Sequence, residues 1–118
     1  MSSIHFEPAY TVDRYITFSV RVVSDGFSGV TNFCLLDNTL QYTIETLMQC
    51  CSSLSGTCSI RDCDSDDYIN VEMLKLGKMR VCGQVGGSYN NQFLRFEFLS
   101  DQTVLKQMIN ELKKCMKK

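Results

Sequence analysis

The stretch Tyr15–Leu36 reads YITFSVRVVSDGFSGVTNFCLL. Its first half alternates: Ile16, Phe18, Val20 and Val22 share one face, and Thr17, Ser19 and Arg21 the other. A period of two marks a strand with one buried side, because successive side chains leave a pleated backbone in opposite directions. Asp25-Gly26 follows, a pair well suited to the backbone of a tight hairpin turn. Beyond it Phe27, Thr31, Phe33 and Leu35 again fall on alternate positions. Two strands joined so tightly must run antiparallel, since a parallel return needs a crossover of roughly a dozen residues. The hairpin therefore commits the chain to an antiparallel sheet with one apolar side.

Upstream, IHFEPAY has room for a further short strand, and Pro8 confines it to an edge or an end. Residues 1–13 are thus expected to be an edge strand or flexible. Downstream the period changes. In LDNTLQYTIETLMQCCSSLSG, Leu40, Ile44, Leu47, Met48 and Cys51 recur at helical spacing. Asp37 or Asn38 is placed to cap the start and Gly56 to end the segment. From Thr57 onward strands return in TCSIRDC, DYINVEMLKL, KMRVCGQV and NQFLRFEFLS, separated by DSDD, LGK and GGSYNN. SDQTVLKQMINELKKCMKK is helical, capped by Ser100 or Asp101, with Val104, Leu105, Met108, Ile109, Leu112 and Met116 as its apolar stripe.

The expected fold is α+β, a single 1–118 domain in the order β-β-α-β-β-β-β-α. A single twisted antiparallel sheet of about six to seven strands forms one layer, with both helices on one face as the second. At 118 residues the chain is long enough for a single full core. A net charge of −1 argues against a general nucleic-acid binder, which needs a basic excess. No apolar run reaches the roughly 18 residues of a membrane span, and the N-terminus lacks a signal peptide's pattern. Seven cysteines, an odd number, with no secretion signal, point to reduced thiols and a cytoplasmic location.

One run stands out chemically. RDCDSDDYIN, Arg61–Asn70, holds four aspartates within six residues. Asp62, Asp64 and Asp66 begin like a calcium loop, but Asp67 occupies the position that needs glycine and Met73 the position that needs glutamate. The bland reading is a solvated turn between two strands, since Asp and Ser bond their own backbone in turns. The sharper one is an acidic recognition patch, Asp62, Asp64, Asp66, Asp67 and Glu72, with Tyr68 as an aromatic anchor, that steers a basic partner. Elsewhere the inventory is thin. His5 is the only histidine and has no nucleophile motif around it. No Cys-x-x-Cys occurs, Cys50 and Cys51 diverge on a helix, and Cys58 and Cys63 are five apart, so no metal site is expected. GQVGGSYNN lacks the Lys-Ser/Thr pair and the following helix of a phosphate loop. No catalytic residue and no cofactor are expected from these residues.

Taken together, ITFSVRVVSDGFSGVTNFCL, LSGTCSIRDCDSDDYINVEM, GKMRVCGQVGG and QFLRFEFLSDQTVL resemble the WapI-like immunity proteins over about residues 15 to 115. The specific points are the Gly-Phe-Ser-Gly turn at Gly26–Gly29, Gly56 before a strand, GKMRVCG, and RFEFLSDQT leading into the last helix. The resemblance implies a small bacterial cytoplasmic protein that neutralises a toxin domain by tight stoichiometric binding, with no turnover and no cofactor. It carries no set of functional residues to transfer. The partner it implies is a cognate protein toxin domain, commonly a nuclease, rather than nucleic acid or membrane. The competing reading is a homo-oligomeric structural or regulatory domain, a homodimer through a sheet edge.

Overall fold

The computed structural model describes residues 2–86 and 92–116. In chain order these form β1 (Ser3–Val12), β2 (Tyr15–Ser24), β3 (Phe27–Leu36), α1 (Asp37–Ser53), β4 (Thr57–Arg61), β5 (Tyr68–Met73), β6 (Lys78–Val85), β7 (Leu94–Asp101) and α2 (Gln102–Met116). The fold is α+β, with every strand pair antiparallel. The GGSYNN connection falls largely outside the described residues.

The β2–β3 hairpin turns at Asp25-Gly26 as expected. Ser24 faces Phe27 and Phe18 faces Phe33 across it, with Asp25 in the left-handed region at φ 55°. Asp13 takes the same conformation, φ 53°, in the turn that closes β1 onto β2. Aspartate tolerates this region better than most residues because its short polar side chain bonds locally. β1 is an edge strand, and its register shifts between Pro8 and Tyr10, where proline cannot donate to the ladder.

The helices follow their stripes with one adjustment. α1 buries Leu40, Thr43, Ile44, Leu47 and Cys50, while Met48 is exposed and Cys51 half-buried. The buried face is turned toward Thr43 because its hydroxyl is satisfied within the helix by the Thr39 carbonyl at 2.9 Å, so the threonine enters the core at little cost. The left-handed residue that ends α1 is Leu54, φ 54°, two residues before Gly56 at φ 98°. At its start, Asp37 accepts from the Asn38 amide and the Arg14 guanidinium; the Arg14 hydrogen bond holds its carboxyl below its ordinary range. Asp101 caps α2, accepting from the Thr103 amide at 3.0 Å.

The expected single sheet is corrected to two, β1-β2-β3 and β4-β5-β6-β7. The reason lies where they meet. The Cys34 amide donates to the Asp62 carboxylate at 2.9 Å, and the Cys63 amide donates to the Cys34 carbonyl at 3.1 Å. A side-chain carboxylate thus accepts where a strand carbonyl would, and a turn meets β3 in place of a strand. The ladder stops there. Further along β3, a Cβ on Gly29 would lie 2.8 Å from a Val85 methyl, so a larger residue there would force the Val85 side chain to shift.

The inner faces of both sheets and the buried sides of both helices share one core. α2 also closes an edge. Gln107 donates to the Ile4 carbonyl at 3.1 Å and Glu111 accepts from the Phe6 amide at 2.9 Å, occupying backbone groups that β1 would otherwise offer to another strand. Burial pushes the Cys58 thiol up to about 12 and Cys115 to about 11, so both stay protonated at neutral pH and act as small apolar groups.

One backbone approach sets a sharp constraint. A Cβ on Gly83 would sit 2.1 Å from the Tyr68 carbonyl oxygen and 3.0 Å from the Ile69 Cα. Gly83→Ala can be accommodated only by moving β6 away from β5. Its expected cost is about 1–3 kcal/mol in chemical denaturation, with Gly26→Ala, in open space, as the comparison.

Candidate partner-binding surface

The β4–β5 turn, residues 62–67, carries the aspartate run and separates it into two pairs with different surroundings. Asp62 is 9% exposed and Asp67 is 1% exposed. Asp62 accepts from the Cys34 amide, from the Asp64 amide at 3.3 Å and from the Ser65 hydroxyl at 2.6 Å. Asp67 accepts from the Gly86 amide at 3.1 Å and the Gln84 side-chain amide at 3.3 Å, while its own carbonyl accepts from the Asp62 amide. These two carboxylates shape the turn from inside: Asp62 ties it to β3 and Asp67 ties it to the end of β6. Asp64 and Asp66 project from the same turn and are exposed.

The other two residues singled out in the sequence lie on the outer face of β5. Half-buried Tyr68 has the Arg61 guanidinium 5.9 Å from its ring centroid, within the range of a cation–π contact. Glu72, at the far end of the strand, pairs with Arg80 at 2.6 Å, and Arg80 also reaches Glu97 at 3.7 Å. The structure therefore brings Asp64 and Asp66 together, puts Tyr68 beside the turn, and leaves Glu72 in a separate ion-pair cluster. Shallow surface pairs of this kind add little to stability.

Between these two groups the outer face of the four-stranded sheet holds a groove of 420 Å³. Its lining includes Ser59, Arg61, Asn70, Glu72, Arg80 and Cys82, with Glu72 the one carboxylate among them. That arrangement places basic and acidic groups side by side and supplies no pair of carboxylates for general acid–base work. His5, on β1 of the other sheet, meets Glu111 at 3.1 Å and Gln107 at 2.9 Å on α2. Among the described residues no helix is long and apolar enough to cross a membrane.

Comparison with known protein families bears on the whole fold. The family model of the immunity protein WapI-like family matches residues 5–118. The chain belongs to that family. The match runs from within β1 to the end of α2, so membership of the WapI-like immunity proteins applies to nearly the whole fold. No curated protein and no solved structure matches the chain.

One grouping was invisible in the linear chain of this WapI-like protein. Cys34, Cys63 and Asp64 each place a ligand-type atom within 4.8 Å of the other two. Cys34 is half-buried on β3, and the other two are exposed on the β4–β5 turn. No spacing rule could find it, because Cys34 is contributed by a different sheet. The only prior signal was the acidic turn itself.

Proposed function

We propose that this protein is an immunity protein that neutralises a cognate toxin domain by stoichiometric binding. The observation that carries the reading is family membership across residues 5–118. The toxin-facing surface is the β4–β5 hairpin. Asp64 and Asp66 present charge at its tip and Tyr68 supplies an aromatic contact, while the buried Asp62 and Asp67 hold the tip in shape; Glu72, paired with Arg80, adds a polar contact farther along β5. An acidic tip on a rigid turn suits a toxin with a basic groove, such as a nuclease, because it competes for the cations that otherwise hold phosphate and accelerates encounter. Gln107 and Glu111 partly occupy the β1 edge, which disfavours strand-to-strand homodimerisation through that edge.

The test is co-expression with the toxic domain of a toxin gene found next to this one. Survival of the host and a one-to-one complex in native mass measurement are expected. Failure to bind or protect overturns the functional reading, and so does a stable homodimer that excludes the toxin. The surface is tested separately by Asp64→Lys combined with Asp66→Lys. Association should slow by about tenfold or more at low salt while dissociation changes little. Unchanged association in this double variant, with the fold intact, removes the hairpin tip from the interface and leaves the family reading standing.

A further inference from the structure

We propose that Cys34, Cys63 and Asp64 form a site for a thiophilic divalent cation of the zinc class, with a coordination position left open to solvent. The three ligand atoms lie within 4.8 Å of one another, and two of them are thiol sulfurs. Zinc is held by thiolate sulfur at about 2.3 Å and carboxylate oxygen at about 2.1 Å in a tetrahedron, which puts such a sulfur and oxygen about 3.6 Å apart. The Cys63 Sγ to Asp64 Oδ1 distance is 3.6 Å. One edge of the tetrahedron is therefore already drawn.

The backbone supports the same geometry. The bonds from Cys34 N to Asp62 and from Cys63 N to the Cys34 carbonyl fix the two cysteines opposite each other across the junction of the sheets. Asp62 accepts from the Asp64 amide, which anchors the backbone of the third ligand. Two thiolates select a soft or borderline ion over calcium or magnesium, which prefer sets made only of oxygen. Three protein ligands with an exposed side leave the fourth place for water or for a group from a partner. Binding also couples to folding: the ion would join β3 to the β4–β5 turn, and a ligand that binds only the folded chain raises its melting temperature.

The test uses the full-length chain alone, so its outcome does not depend on toxin binding even though Asp64 serves both readings. Reduced protein in a phosphine reductant is titrated with Co²⁺, then with Zn²⁺. Expected are one ion per chain, thiolate-to-cobalt charge-transfer absorption displaced by zinc, and a higher melting temperature with zinc. Cys63→Ser, at an exposed position, should keep the fold by circular dichroism and lose the absorption. Asp64→Asn should weaken binding, and Cys82→Ser, on the outer face of β6, should leave it unchanged. Absence of the absorption in reduced wild-type protein overturns the proposal. Its persistence in Cys63→Ser does the same, since the thiolates would then come from elsewhere.

Discussion

Phe18→Ala is expected to lower the unfolding free energy by about 3–5 kcal/mol, the usual cost of emptying a fully buried aromatic site. Phe18 is 0% exposed at the middle of the central strand β2. Its ring meets Phe6 at 5.9 Å with planes 70° apart, and Phe33 at 6.0 Å with planes 44° apart, so one side chain links all three strands of its sheet. The surrounding backbone is paired on both sides and has little freedom to collapse into the void. For a domain of this size the loss corresponds to a fall in melting temperature of about 10–20 °C. Phe27→Ala, at a site 69% exposed on the next strand, should change stability by no more than about 0.5 kcal/mol. Equal effects from the two substitutions would contradict a core centred on β2.

Asp62→Ala is expected to cost about 2–4 kcal/mol although the residue belongs to a turn. Alanine removes the acceptor for the Cys34 amide, the Asp64 amide and the Ser65 hydroxyl together. The Cys34 amide lies part-buried in the junction between sheets, where an unpaired donor bears a desolvation penalty. Asp62→Asn retains Oδ1 as acceptor and should cost clearly less. Urea denaturation of the three proteins separates these cases, and amide exchange at Cys34 reports the junction directly. A turn aspartate that merely faced water would show neither effect. Charge changes intended to probe partner binding therefore belong at Asp64 and Asp66, since substituting Asp62 or Asp67 disturbs the platform itself.

The periodic elements were legible because their pattern repeats. Ile16, Phe18, Val20 and Val22 alternate and are all buried, although Thr17 on the other face is buried too; Leu105, Met108, Ile109 and Leu112 recur as a helix requires and lie in the core. Met48 and Cys50 were harder. A stripe read from hydrophobicity alone can be off by one residue, or about 100° of helix, and it undervalues a threonine that satisfies its own hydroxyl. The acidic run was legible as charge and turn, but its division into Asp62 and Asp67 facing inward and Asp64 and Asp66 facing outward was not. Asp62, Asp64 and Asp66 stand at every second position, but in a turn that spacing does not set direction; which backbone amides lie within reach does.

By itself the sequence determined the antiparallel strands, the two amphipathic helices and their order, because local spacing of apolar residues and turn chemistry act over a few positions. The three-dimensional fold alone decided that the strands divide into two sheets, since that depends on Asp62 meeting a Cys34 amide 28 residues away. It also decided that Cys34, Cys63 and Asp64 converge. Contacts between distant segments depend on the packing of the whole core, and no short window of residues contains that information.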